Sequence, residues 1–340
     1  MSGPLESNEN FIETQTGRHH IDAPHIPWHA LRVSTALQCD DGLDAQALLN
    51  FVISPEIFGS DRRVLSWLDP DRTGYAYDEC TALYGRLYTW LGRAQDAIAM
   101  SNVLERQLSE QGWLGRNDIG YAFDTALGID AVREPSLPLN QVIHWLTSGV
   151  ACSRVTRPGW WSQSYGAHLL KCLPPLARHG RRTYAIAIAD DIIEKCYDGG
   201  RFRIHADSQA TYIHSHCYAM EGMLGLQAHP DVLLSAADWL SAQMLPSGAL
   251  PAWVGAQNER YPSDVVAQAV RLFSAVDPSR YSTEIEKGLQ RLAELQDPST
   301  GGIRYTLSSR HVNTWASAFA LQAVYWAARP PVKSELQWLV

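Results

Sequence analysis

Between Asp207 and Glu221 the chain spaces five polar side chains, Asp207, Thr211, His214, Tyr218 and Glu221, at intervals of four, three, four and three residues. That spacing predicts one continuous polar stripe along a helix over 207–227, with Ile213, Cys217, Met220 and Leu224 on the other side. A solvated helix face is ordinarily rich in Lys and Glu, whereas this one is His, Tyr and carboxylate, the composition of a wet cavity. Histidine titrates near neutrality, so His214 can exchange protons with a bound molecule at pH 7. Asp207, two turns earlier on the stripe, would orient His214 or hold its charged form, with Tyr218 beside it. The plain alternative is a hydrated channel without chemistry.

Such a stripe needs an element arrangement that surrounds it. From residue 43 onward, helical segments alternate in character with Gly-bearing loops between them. The first kind, 43–53, 94–111, 137–153, 182–197, 231–245 and 281–296, is amphipathic, as in AQDAIAMSNVLERQLSEQ. The second kind, 75–91, 119–131, 161–178, 207–227, 262–275 and 312–328, is Ala-, Gly- and aromatic-rich and short of Lys and Glu, as in NTWASAFALQAVYWAA. Apolar character running round most of a helix marks it as buried. Six exposed helices alternating with six buried ones is an internal repeat. Buried second helices fit a closed ring better than an open solenoid. The expected fold is all-α, an (α/α)6 toroid of six inner and six outer helices. One domain would span 41–340, preceded by an irregular arm over 1–40 in which Pro24 and Pro27 keep His19, His20, His25 and His29 from aligning.

The site would lie where the inner helices begin. The first turns offer Tyr75, Tyr77, Asp78 and Glu79; Tyr121 and Asp124; Trp160, Trp161, Tyr165 and His168; His205, Asp207, Tyr212, His214 and Tyr218; Tyr261, Asp264 and Arg271; and His311, Asn313 and Trp315. Each has a bland reading. Asp207, Asp264 and Asn313 could cap helix starts, Arg271 could pair with a neighbouring carboxylate, and His168 could simply pack. Their convergence at one end of a ring is what points to function. His214, Asp207, Asp264, Asp78, Glu79, Tyr218 and His311 are the expected acid/base groups. Tyr75, Tyr121, Asp124, Trp160, Trp161, Tyr165, His205, Tyr212, Arg271 and Trp315 are the expected substrate contacts. Aromatic walls bind organic skeletons and steady developing cations. His214 and His216 lie about 200° apart on a helix, so they cannot share a metal there. No tight ligand spacing implies zinc, and no cofactor is expected.

The turns carry a resemblance. QDPSTGGIRY is similar to the Gln-x-x-x-Gly-Gly-aromatic turn of the terpenoid cyclases and protein prenyltransferase β-subunits, and QMLPSGALPAW is a looser copy. HCYAMEGML, residues 216–224, resembles the prenyltransferase helix with a Cys-Tyr-x-Leu-x-Gly-Leu run. The resemblance spans the repeat layout over most of 41–328 and implies the α/α-toroid scaffold. The chemical motifs are missing: there is no D-x-D-D tetrad, and Asp264-Val-Val lacks the zinc-binding Cys. Prenyl transfer and polyene cyclisation are therefore not implied.

Composition narrows the rest. A net charge of −8 without a Lys/Arg cluster argues against nucleic acid, and no apolar run approaches the roughly 20 residues of a membrane span. Residues 1–20 lack the apolar core of a signal peptide, and Cys39, Cys80, Cys152, Cys172, Cys196 and Cys217 show no C-x-x-C spacing, so reduced thiols in a cytoplasmic protein are expected. Twelve Trp and fourteen Tyr suit an organic ligand. The expected function is a small-molecule, natural-product biosynthetic lyase, cyclase or isomerase. Alternatives are a sugar epimerase or glycoside hydrolase with paired carboxylates, and a non-catalytic scaffold or carrier-protein partner. Arg116, Arg201, Arg203, Arg304 and Arg310 lie in loops, where they could receive an anionic substrate or an acidic carrier.

Overall fold

The computed structural model describes residues 42–72, 74–116, 119–132, 139–151, 165–256 and 260–339. The arm over 1–40, Trp160 and Trp161 lie outside the described residues. Six outer helices run α1 (Ala45–Val52), α3 (Ala94–Gln107), α5 (Leu139–Ala151), α7 (Arg182–Cys196), α9 (Pro230–Gln243) and α11 (Ser282–Leu295). The inner positions are α2 (Asp78–Trp90), α4 (Ala122–Ala131), α6 (Leu173–Leu176), α8 (Ile213–Leu226), α10 (Ser263–Val276) and α12 (Thr314–Ala328). A 3-10 segment, Ala167–Cys172, leads into α6, which is short and opens on Pro174 and Pro175. Each inner segment packs on the next, and α12 packs on both α2 and α1. The ring is closed, as the burial pattern predicts.

The packing follows from composition. In α12 twelve of fifteen residues are buried, whereas α11 buries Ile285, Gly288, Leu289, Leu292 and Leu295 and turns its charges outward. Gly222 lets α8 meet the neighbouring inner segment backbone to backbone, because a Cβ there would come within 2.2 Å of the Leu170 carbonyl oxygen. The turn QDPSTGG closes the circle. Gln296 Nε2 donates to the carbonyls of Asp44 (2.8 Å) and Gly301 (2.9 Å), while its Oε1 accepts the Asp44 N–H (2.8 Å). Gly301 supplies the left-handed backbone this needs, at φ +80°.

Inner helices begin later than their periodicity predicts. Thr211–Tyr212 pairs antiparallel with Trp253–Val254, and Val312–Asn313 pairs with both Trp67–Leu68 and Ile303–Arg304. These pairings hold the entering chain extended, so α8 starts at Ile213 rather than near Asp207. Asn313 caps α12, accepting the Ala316 N–H at 2.8 Å.

His216 faces away from the ring centre and joins α8 to α9. Its Nδ1 accepts the Phe202 N–H (3.1 Å), which leaves Nε2–H to donate to the Ala236 carbonyl (3.2 Å). Burial pulls its pKa from 6.5 down to about 4. The folded state therefore binds fewer protons than the unfolded chain between those values, and the stability this contributes is complete above pH 6.5 and lost as pH falls through 4. The expected size is about 3 kcal/mol. Urea melts from pH 7 to pH 4 should show that slope in the parent protein and its loss in His216→Gln, whose amide keeps a donor and an acceptor.

Candidate active site

The ring opens at the N-terminal ends of its inner helices into a cavity of about 190 Å³. One register recurs there. The second residue of five inner helices lines it: Glu79 in α2, Phe123 in α4, His214 in α8, Asp264 in α10 and Trp315 in α12. The extended residue just before three of those helices adds a phenol, from Tyr77, Tyr121 and Tyr212. Asp124, one position further into α4, joins them, as do Tyr75 and Tyr305 from loops. Cys80, Leu83 and Tyr218 lie deeper on their helices.

Two polar constructions stand out. Glu79 is held by phenols from both sides, with Tyr77 Oη donating to Oε2 and Tyr218 Oη, from across the ring, donating to Oε1 at 2.9 Å. His214 Nδ1 lies 3.4 Å from Asp264 Oδ2, close enough to orient the imidazole and longer than a well-formed hydrogen bond. The same Asp264 oxygen accepts the Trp315 indole N–H (3.3 Å), and Oδ1 accepts the Val265 N–H (3.0 Å). Burial, then Glu79 and Glu221, pushes the Tyr218 phenol well up; burial and then Asp264 do the same to Tyr212. Tyr305 is raised chiefly by Asp264. These phenols therefore stay protonated and keep an O–H able to donate.

The described lining holds three carboxylates and neither Lys nor Arg. Converging helix N-termini offset that charge, since each presents free N–H groups and a partial positive end. Beneath Tyr218 lies a separate, fully buried cluster. Glu221 accepts from Lys171 Nζ (2.7 Å), Arg271 Nη2 (2.6 Å) and Gln268 Nε2 (3.3 Å), and Arg271 Nη1 also reaches Gln322 Oε1 (2.9 Å). Burial brings Lys171 down to about 8.

Of the expected acid/base groups, Glu79, His214, Asp264 and Tyr218 meet in the cavity. Asp207 does not. It is exposed in the turn before α8, and Asp264 from the next inner helix stands beside His214 instead. Asp78 is one residue from Glu79 but rotated about 100° away, buried against Arg63 (3.0 Å), with burial raising its pKa. His311 stacks on Trp67 and reaches Asp69 (2.9 Å) outside the lining. Among the expected substrate contacts, Tyr75, Tyr121, Asp124, Tyr212 and Trp315 line the cavity. Tyr165 instead donates to Asp191, His205 is half-buried with its pKa lowered by burial, and Arg271 belongs to the Glu221 cluster. Arg201, Arg203, Arg304 and Arg310 each close a local contact, with Asp198, the Lys195 carbonyl, the Glu294 carbonyl and Asp71. Tyr305 escaped the sequence reading because it closes the QDPSTGGIRY turn, whose glycines read as purely structural. Phe123 and Leu83 escaped as ordinary core residues. Among the described residues, no three His, Cys, Asp or Glu side chains group as a metal site, and no helix is long and apolar enough to cross a membrane.

No protein-family model matches the chain, and no curated relative matches its sequence. Solved structures do match. A glycosyl hydrolase family 88 protein from Bacteroides vulgatus superposes with TM-score 0.61 at 10% identity, over 84% of this chain and 99% of that one. An unsaturated glucuronyl hydrolase specific for heparin gives 0.60 at 12% identity, over 87% and 98%. The type II terpene cyclase MstE from Scytonema gives 0.59 at 14% identity, over 90% and 100%. At such identities the likeness is one of fold, and the fold these structures share with this chain is the α/α toroid.

Proposed function

We propose that the chain is an enzyme that carries out general acid/base chemistry, an elimination, cyclisation or isomerisation, on a compact organic substrate of no net negative charge. The observation that supports this reading is the pairing, in one aromatic cavity, of His214 beside Asp264 with Glu79 held between two phenols. In the proposed step, protonated His214 gives its proton to a double bond or a leaving oxygen. Glu79 takes a proton from the neighbouring carbon, and the aromatic rings shield the cationic character that develops between the two transfers. An isomerisation then ends with Glu79 releasing its proton to solvent and His214 taking one up, which restores both groups. Substrate size follows from the cavity, which is smaller than the roughly 300–1,000 Å³ that takes drug-sized ligands. That favours a single-ring skeleton over a long polyene. A described lining of three carboxylates with no Lys or Arg among it disfavours an anion.

A second reading, glycoside hydrolysis, rests on Glu79 and Asp124, which line the same cavity from adjacent inner helices. One experiment tests both. The protein is incubated in D2O with panels of unsaturated cyclic compounds, cyclic polyols and aryl glycosides, and products and deuterium incorporation are followed by NMR and mass spectrometry. The main reading expects turnover that falls 10²–10⁴-fold in His214→Gln and Asp264→Asn. Turnover that survives both but vanishes in Asp124→Asn overturns it in favour of the hydrolase.

A further inference from the structure

Away from the central cavity, the hairpin running from Phe58 to Val64 and the face of α3 enclose a second hollow of about 260 Å³. Phe58 and Val103 contribute apolar lining, and three guanidinium groups, Arg62, Arg93 and Arg106, share it with a single carboxylate, Asp96. That concentration of positive charge runs against a chain whose net charge is −8. Asp96 is paired with Arg93, whereas among the described residues Arg62 and Arg106 have no side-chain partner.

The hairpin backbone supplies an independent observation. The Arg62 N–H donates to the Gly59 carbonyl (3.0 Å) and the Gly59 N–H to the Arg63 carbonyl (2.8 Å), a four-residue turn over 59–62 whose last residue lies in the left-handed region. That residue is Arg62, at φ +70°. Glycine is the ordinary occupant of this position, because a Cβ is strained there. Strained backbone positions of this kind cluster at active sites, ligand clamps and switch regions.

We infer that this hollow binds a small organic anion, a carboxylate or phosphate on a compact apolar body. The guanidinium groups of Arg62 and Arg106 receive the anionic group, and the surface from Phe58 to Val103 covers the rest. The site is distinct from the central cavity, where the described lining has no Lys or Arg.

Isothermal titration of the full chain with benzoate, phenyl phosphate and benzyl alcohol tests this. At least one anion binds while the alcohol does not, and the stronger of the two identifies the preferred head group. Arg62→Gly weakens that binding about ten- to a hundredfold with an unchanged or higher Tm, because glycine relieves the strained backbone. Arg106→Gln weakens it without touching the turn, and Asp264→Asn leaves it intact. Failure of both anions to bind overturns the inference. So does full affinity in both arginine variants, or loss of affinity in Asp264→Asn, which would place the ligand in the central cavity.

Discussion

Glu79→Gln is expected to lower turnover of any substrate found for the central cavity by 10²–10⁴-fold, with the helical circular dichroism spectrum unchanged. The magnitude is that of losing a positioned proton acceptor. Retention of the fold follows from the local geometry. Tyr218 Oη donates to Oε1 at 2.9 Å, a bond a glutamine carbonyl can keep, and the amide can turn its nitrogen toward the Tyr77 oxygen. Tyr218→Phe provides the graded comparison, because it removes one of the two phenols that orient the carboxylate and leaves the carboxylate in place. Its expected loss is smaller than that of Glu79→Gln. Both variants turning over at the parental rate would remove Glu79 from the chemistry and leave the His214–Asp264 couple to account for it alone.

Glu221→Ala is expected to be the most destabilising single substitution, at about 3–5 kcal/mol, because it strands Lys171 and Arg271 in a dry interior without their shared carboxylate. Against a total stability of about 5–15 kcal/mol for ordinary domains, that brings the protein close to unfolding at room temperature. Urea denaturation measured by circular dichroism reads the loss directly. The buried charges also make a second expectation. Replacing the whole cluster with apolar residues, Lys171→Met, Glu221→Leu and Arg271→Met together, recovers most of the lost stability, because desolvated ions are then absent rather than unpaired. Parental stability in Glu221→Ala would mean that water reaches the cluster and screens it. The cluster lies below the Tyr218–Glu79 hydrogen bond, so the triple replacement also tests whether that floor depends on the charges beneath it.

Much of the scaffold was legible in the sequence because helix burial leaves a local record. The Lys- and Glu-poor run NTWASAFALQAVYWAA could only be an inner helix, and the amphipathic YSTEIEKGLQRLAELQ only an outer one. Their alternation implies the ring, and the ring implies that helix starts share one end. Tyr75, Glu79, Tyr121, Asp124, Tyr212, His214, Asp264 and Trp315 could all be named from that argument alone. The register behind it, the second residue of each inner helix, is itself periodic, but locating it requires knowing where each helix truly begins.

That boundary is where tertiary structure took over. Thr211 and Tyr212 extend a helical pattern in sequence, yet they pair with Trp253 and Val254 from the next repeat and are drawn out straight. Asp207 thereby leaves the helix, and the carboxylate beside His214 comes from Asp264. No periodicity within one segment encodes that partnership, because it forms only when α8 and α10 dock side by side. The sequence by itself determined which helices are buried, that they close on one another and which end carries the polar residues, since each follows from side-chain chemistry along a single helix. Only the tertiary structure decided which polar residues meet, separating the cavity pair His214 and Asp264 from the buried Arg271–Glu221 pair and from the solvent-facing Asp207. Contacts between repeats depend on where neighbouring backbones pair and how their helices are rotated, and those are properties of the assembled ring.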